Sequence, residues 1–118
     1  VLLMYAEALN EVNNGPTKEA YEAINAVRNR AFQDNGSGAH ALSSLSYAQF
    51  RKAVLDERRW ELALEGSRWF DLVRLSDDFS AEIKKAKPNS YVTVKNKLLP
   101  IPQYERLLNS NITQNEGY

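Results

Sequence analysis

The sequence predicts a mainly α-helical fold, in which helical hairpins of the tetratricopeptide type are joined by irregular loops. Apolar residues recur at spacings of three and four over the first 31 residues, which is the period of an amphipathic helix. The run Asn13-Asn14-Gly15-Pro16 interrupts this pattern, because a left-handed cap followed by proline ends a helix. Only residues 91–94 show the β-branched alternation of a short extended segment.

The first hairpin is predicted over residues 2–32, about the length of one tetratricopeptide unit. A helix over 2–12 would carry an apolar stripe made of Leu2, Tyr5, Ala6, Leu9 and Val12. Thr17 is a suitable N-cap for the second helix. The stripe of that helix would be Ala20, Ile24, Val27 and Ala31. The short linker makes the two helices antiparallel.

A polar loop over 33–44 is followed by Ser46 and Gln49 at the spacing of a capping box. We therefore predict a long helix over 47–65 that ends at Gly66. Shorter helices are predicted over 68–75, 79–86 and 103–108. Residues 98–102 should be extended, because each proline disfavours a helical conformation in the residue before it. The whole chain, 1–118, is expected to be one domain, the carboxy-terminal part of a longer chain.

Composition narrows the classes of function. Fifteen basic side chains balance fifteen acidic ones, so no net charge attracts nucleic acid or an anionic membrane surface. Cysteine is absent, which excludes disulfides and thiolate chemistry. No apolar run approaches the roughly 18 residues that would cross a bilayer. Neither a phosphate-binding loop nor a metal-ligand pattern is recognisable, and His40 is the only histidine. We expect no cofactor and no metal.

Residues 56–74, DERRWELALEGSRWFDLVR, combine balanced charge with both tryptophans. Glu57, Glu61 and Glu65 are spaced four apart, so a helix would place them on one face, where a pair of carboxylates could hydrolyse a glycosidic bond. Arginines lie within reach, however, and pairing lowers the pKa that a general acid needs raised. We therefore favour structural ion pairs over catalysis and predict no catalytic residue. The predicted network is Arg58, Glu61, Glu65, Arg68, Asp71 and Arg74.

Aromatic side chains offer a second kind of site, because a pyranose ring packs its apolar face against an aromatic ring. The candidates are Trp60, Trp69, Tyr47, Tyr91 and Tyr104. For Trp60 and Trp69 we favour burial in the core, where aromatic residues contribute large apolar areas. Tyr91 lies in a polar segment, and for this residue both interpretations stay open.

Three blocks resemble the SusD/RagB family of outer-membrane glycan-binding lipoproteins. They are LLMYAEALNEV with AYEAINAVRNRAF, then FRKAVLDERRWELALEGSRWFDLVR, and finally LLPIPQYERLLNSNITQNEGY. The central pattern, ER-x-x-E-x-x-x-EG-x-R-x-x-D-L-x-R, is filled in every position. The closing PIP and QN-x-GY elements also match, with Glu116 where proline is more usual. The resemblance extends from residue 2 to residue 118.

This resemblance implies a surface protein of Gram-negative bacteria that binds oligosaccharides or polysaccharides without cleaving them. Its partner would be a TonB-dependent SusC-like transporter in the outer membrane. Attachment would depend on an upstream lipid anchor that this chain lacks, and no nucleic acid is expected. Sugar contacts in the family come largely from variable loops, so no ligand-binding residue is assigned here.

Two alternatives from other classes stay open on the residues alone. A helical-repeat scaffold that binds a peptide or protein would show further hairpins and no response to sugars. A glycosidase would turn over polysaccharide through Glu57, Glu61 or Glu65.

Overall fold

Helices make up most of the computed structural model, which describes residues 1–75 and 79–118. In those residues the elements are α1 (Leu2–Asn13), α2 (Lys18–Phe32), α3 (Tyr47–Glu61), α4 (Arg68–Leu75), α5 (Phe79–Ala86), a 3-10 helix (Val94–Lys97) and α6 (Gln103–Leu108). The described residues contain no β-strand, so the predicted mainly α class is confirmed. The chain forms two compact units, an amino-terminal unit (Val1–Arg68) and a carboxy-terminal unit (Trp69–Tyr118).

The predicted first hairpin is present as α1 and α2. Asn14 ends α1 in the left-handed conformation, with φ 51° and ψ 35°. Thr17 caps α2, and its hydroxyl accepts a hydrogen bond of 3.2 Å from the backbone N–H of Ala20. Both the capping residue and the start of α2 agree with the sequence prediction. The turn between them forces the helices to run antiparallel.

The core of the amino-terminal unit lies between α1, α2 and α3. Its buried apolar residues are Leu3, Ala6, Ala20, Ala23, Ile24, Val27, Phe50 and Val54. Alanines on α1 and α2 let the two backbones approach, and Phe50 of α3 fills the space beside them. Tyr21 packs its ring edge-on against Phe50 with centroids 5.0 Å apart. This geometry is the favourable one for aromatic pairs.

The apolar stripe predicted for α1 is wrong at three positions. Leu2, Tyr5 and Val12 are exposed, and the side of α1 that packs on the other helices carries Leu3, Ala6, Glu7 and Asn10. Helix α1 is apolar on more than one side, so periodicity alone does not select the face that α2 and α3 cover. On that face, Nδ2 of Asn10 donates a hydrogen bond of 3.4 Å to the carbonyl oxygen of Tyr47. Ala31, predicted to belong to the α2 stripe, is also exposed.

Helix α3 begins as predicted and ends earlier. Ser46 and Gln49 form the expected capping box, with bonds of 3.4 Å and 2.9 Å. The helix stops at Glu61 and does not continue to Glu65, since Leu64 takes a φ of 69° that no helix accommodates. Gly66 also has a positive φ, 76°, which glycine adopts readily. Glu65 therefore leaves the helical face that was predicted for it.

In the carboxy-terminal unit, α5 and α6 have the predicted bounds, and α4 also matches its prediction. Phe79, the first residue of α5, is fully buried, and Trp69 packs edge-on against its ring at 5.1 Å. Residues 91–94 were predicted to form an extended segment. Val94 instead begins the 3-10 helix, because Asn96 accepts from the backbone N–H of Thr93 and folds the chain there.

Residues 98–102 and the tail hold each other through side-chain amides. Gln114 accepts from the backbone N–H of Ile101 at 2.8 Å and donates to its carbonyl oxygen at 3.0 Å. Asn115 donates to the carbonyl oxygen of Leu99, and the hydroxyl of Tyr118 donates to that of Leu98. We call these three side chains the tail clamp. The clamp gives the PIP and QN-x-GY motifs a structural role, because Gln114 of the second motif bonds to both backbone groups of Ile101 in the first.

Candidate functional site

Glu57, the first of the three candidate catalytic carboxylates, is buried in an ion pair. Its Oε2 lies 2.7 Å from Nη1 of Arg28, and only 4% of the carboxylate side chain is exposed. Arg28 also donates from Nε to the carbonyl oxygen of His40, at 2.7 Å. A carboxylate that is buried in an ion pair suits a structural role, because removing either partner would leave the other charge uncompensated.

The other two carboxylates are in different environments. Glu61 forms an ion pair with Arg30 of α2, and Oε1 is 2.5 Å from Nη2. Glu65 is exposed after the end of α3 and has no ion-pair partner within residues 1–75 and 79–118. The structure therefore does not bring the three carboxylates together on one face.

The remaining members of the predicted network are divided between the two units. In the amino-terminal unit Arg58 is buried, and Arg68 donates from Nη1 to the carbonyl oxygen of Leu55 at 3.1 Å. In the carboxy-terminal unit the carboxylate of Asp71 is 3.3 Å from Nη2 of Arg74. Whether the six residues stabilise the protein as one network stays a prediction.

Sequence reasoning missed the arginines that pair with Glu57 and Glu61. Arg28 and Arg30 lie on α2, in the segment NAVRNRAF, about thirty residues before their partners. Two arginines near the end of an otherwise amphipathic helix were a sequence signal that this helix supplies ion-pair partners. Their assignment required knowing that α2 and α3 pack together, which local spacing does not give.

The candidate aromatic residues have very different exposures. Trp60 is 61% exposed, so its predicted burial in the core is wrong: it follows Arg59 on the outer face of α3. Trp69 is half-buried against Phe79. Tyr47 is held by a 2.6 Å hydrogen bond from its hydroxyl to Glu11. Tyr91 and Tyr104 are 98% and 68% exposed and present open ring faces.

The polar loop over 33–45 is fixed to α2 by side chains of that helix. Asn25 exchanges two hydrogen bonds with the backbone of Leu42, at 2.8 Å and 3.0 Å. The hydroxyl of Tyr21 accepts from the backbone N–H of Leu45 at 2.7 Å. Between this loop and α2 is a groove of about 710 Å³, lined in part by Tyr21, Asn25 and Asn29. Amides and hydroxyls in an open groove can hydrogen-bond to a sugar.

His40 lies at the edge of the same loop and does not resemble a catalytic histidine. Its ring stacks on Phe32 with centroids 4.1 Å apart. Its Nδ1 is 2.7 Å from Oδ1 of Asp34, whose Oδ2 also accepts from the backbone N–H of His40. These hydrogen bonds hold the pKa of the Asp34 carboxyl below its ordinary value. The arrangement closes the loop, and the imidazole contacts Asp34 and Phe32.

Neither a membrane-spanning helix nor a metal-binding group of side chains is found in the described part of the chain. None of its helices combines the length and the apolar character that are needed to span a bilayer. Nor do three or more His, Asp or Glu side chains of these residues gather in a group that could hold a metal ion.

Comparison with known proteins gives consistent matches along the chain. The model of the SusD family (SusD/RagB) matches residues 1–118. SusD-like protein P2 and SusD-like protein P25, both of Formosa agariphila, are 38% and 40% identical to the chain over its full length. The chain corresponds to 24% and 23% of these proteins, so it spans about a quarter of their length.

Solved structures show the same similarity in three dimensions. A SusD homologue from Bacteroides thetaiotaomicron superimposes with a TM-score of 0.85 at 36% identity, over 99% of this chain and 25% of that one. A SusD superfamily protein from Parabacteroides distasonis gives a TM-score of 0.77 at 34% identity, with the same shares covered. The fold of these proteins is the tetratricopeptide-like helical arrangement that the first hairpin predicts.

Proposed function

Because this chain belongs to the SusD family, we propose that it is part of a non-catalytic glycan-binding protein of the cell surface. The protein would capture oligosaccharides or polysaccharides and pass them to a TonB-dependent, SusC-like transporter in the outer membrane. An upstream lipid anchor would hold it there. The observation that carries the proposal is family membership along the whole chain.

The chemistry of the side chains supports binding without cleavage. Glu57 and Glu61 are each neutralised by an arginine, and Glu65 stands apart from both. Hydrolysis of a glycosidic bond needs two carboxylates on either side of one bond, with the pKa of one of them raised. The described residues offer no such pair.

The surface also supports an interaction with sugars. Tyr91 and Tyr104 have exposed rings, and the groove beside α2 has a mixed lining that includes amides, hydroxyls and apolar side chains. Aromatic faces and a few polar groups are the usual components of a small-molecule site. The alternative of a helical-repeat scaffold for protein partners is not favoured, because the whole chain matches a family of glycan-binding proteins.

Isothermal titration of the full-length protein against a panel of soluble polysaccharides tests the proposal. Saturable heat with one class of glycan is the expected result. Heat that continues without saturation would indicate turnover and contradict the proposal. A flat trace across the panel would also contradict it and would favour the protein-binding scaffold.

A further inference from the structure

The carboxy-terminal unit carries a strongly basic segment in a chain whose total charge is zero. Residues 83–104 contain five lysines and neither aspartate nor glutamate. Two of these lysines, Lys84 and Lys85, occupy the last turn of α5, where positive charge offsets the helix dipole. The dipole does not account for Lys87, Lys95 or Lys97, which lie beyond the helix.

One turn of the chain separates two of these lysines from an exposed aromatic ring. The backbone N–H of Lys87 donates to the carbonyl oxygen of Ile83, so the helical path continues to Lys87. Lys84 and Lys87 are three residues apart on that path, and such residues share one side of a helix with about 5–6 Å between their Cβ atoms. A turn follows, closed by a 3.0 Å bond from Ser90 to Lys87, and Tyr91 comes directly after it. The ring of Tyr91 is 98% exposed.

The 3-10 helix packs against α5 and adds two more ammonium groups. Lys97 places Nζ 5.8 Å from the centre of the Phe79 ring, at the start of α5. Lys95 donates to the carbonyl oxygen of Gly117 and holds the tail. Both lysines line a groove of about 730 Å³, whose other lining residues include Val94, Leu98 and the single carboxylate of Glu116.

Lys84 and Lys87 differ from the other exposed lysines whose contacts are known. Lys18, Lys52 and Lys85 each face a carboxylate four or three residues away along a helix. Within the described residues, Lys84 and Lys87 are exposed and form no ion pair with a carboxylate. Positive charge on one side of a helix end and an open tyrosine ring beside it together suit a polymer that has anionic groups on sugar rings.

We propose that Lys84, Lys87 and Tyr91, which we call the lysine surface, bind an acidic polysaccharide. The ammonium groups contact its carboxylate or sulfate groups, and Tyr91 packs against the apolar face of a sugar ring. The inference rests on the proposed function, since it names the chemical class of the glycan. Lys97 is not part of this surface, because its Nζ lies over the ring of Phe79 at the first residue of α5.

The test uses the full-length protein and four polymers at low salt. These are a sulfated galactan, the same galactan after chemical desulfation, polygalacturonate, and double-stranded DNA as a polyanion without pyranose rings. The double substitution Lys84→Gln with Lys87→Gln removes two charges from the lysine surface. A matched double substitution, Lys52→Gln with Arg59→Gln, removes two exposed charges on α3. Tyr91→Ala tests the ring, and circular dichroism checks that every variant folds.

We expect the sulfated galactan or polygalacturonate to bind at least tenfold more tightly than the desulfated galactan. Each lysine at an exposed contact contributes about fivefold in affinity in water, so the Lys84 and Lys87 double variant should lose about tenfold or more. The Lys52 and Arg59 variant should stay within twofold of the wild type. Tyr91→Ala should weaken binding of the acidic glycan and leave binding of DNA unchanged. The two acidic polymers distinguish sulfate from carboxylate.

Saturable binding of the desulfated galactan that equals binding of the acidic polymers would overturn the inference and leave the proposed function standing. Equal losses for the two double variants would overturn it as well, because the effect would then be general charge. Tight DNA binding that the Lys84 and Lys87 substitutions weaken as much as glycan binding would also overturn the inference. The lysine surface would then bind any polyanion and not an acidic polysaccharide in particular. Absence of binding to any polysaccharide would contradict the proposed function itself.

Discussion

Glu57 and Arg28 form a deeply buried ion pair, with 4% and 14% of their side chains exposed. Removing one partner leaves the other charge buried without compensation. We therefore expect Glu57→Ala to lower the free energy of unfolding by about 3–5 kcal/mol. Urea denaturation followed by circular dichroism measures this loss.

Glu65 provides the matched control for that prediction. It belongs to the same sequence pattern but is exposed beyond the end of α3. Substitutions at exposed positions away from such contacts usually change stability by about 0.5 kcal/mol or less, so Glu65→Ala should cost less than about 1 kcal/mol. Similar losses for Glu57→Ala and Glu65→Ala would contradict this account of the charged block.

Asp34 makes stability depend on pH in the acidic range. Its hydrogen bonds to His40 lower the pKa of the folded-state carboxyl, so the unfolded chain takes up this proton first as the pH falls. The stabilisation is complete above the ordinary aspartate pKa of about 4 and is lost as the pH falls through the lowered folded-state value. Asp34→Asn should therefore be less stable than the wild type at pH 7, with the difference closing towards pH 3. Urea denaturation over that range measures the difference, and a constant gap would contradict the prediction.

At the scale of elements, the start of α3 depends on its capping box. Ser46 and Gln49 satisfy each other's backbone N–H groups, which the helix would otherwise leave without a partner. Ser46→Ala should lower the free energy of unfolding by about 1 kcal/mol. Ser43→Ala, at an exposed serine of the preceding loop, is the control and should change it by less than about 0.5 kcal/mol. An equal loss of stability in both variants would show that the capping box does not stabilise the start of α3.

The tail clamp can be tested one amide at a time. Gln114 makes two hydrogen bonds to Ile101, each contributing about 1 kcal/mol. Gln114→Ala should speed hydrogen exchange of the Ile101 backbone N–H by about tenfold or more, as measured by mass spectrometry or NMR. Gln103→Ala, at an exposed glutamine that begins α6, serves as the control and should leave that exchange rate unchanged. Unchanged exchange in the Gln114 variant would show that the clamp does not hold this segment.

Capping and turn residues predicted the elements well because their signals are local. Thr17, Ser46 and the proline before α6 each act within four residues, and the helices that they begin start where expected. The end of α3 was missed because Leu64, a residue with no turn preference, takes the left-handed conformation before Gly66 is reached. The buried face of α1 was missed because it carries Glu7 and Asn10, which only contacts with other helices can place inside.

The two candidate surfaces, the groove beside α2 and the lysine surface, were harder to predict than the fold for a related reason. The groove beside α2 depends on hydrogen bonds from Tyr21 and Asn25 to residues 17 and more positions away. The lysine surface depends on a turn that leaves Tyr91 open. Periodicity and capping describe short stretches of chain, so neither arrangement has a signature at that range.

For the whole molecule, the motifs shared with the family are explained by scaffold contacts. Glu57 and Glu61 pair with α2, and Arg68 satisfies the carbonyl oxygen of Leu55. Gly117 has a φ of 90°, and an added Cβ would lie 2.6 Å from Cδ of Lys95. None of these residues has to contact a sugar, which leaves ligand specificity to exposed loops and turns.

The most direct test of this account is to recover a bound polysaccharide and measure its length. The full-length protein is saturated with the glycan that gives heat in the titration, incubated, and removed, and the polymer is sized by gel filtration. Capture predicts a polymer of unchanged length from both the wild type and a variant with Glu57→Gln, Glu61→Gln and Glu65→Gln, provided that the variant folds. Shortened polymer from the wild type, and intact polymer from the variant, would contradict the central claim and make these carboxylates catalytic.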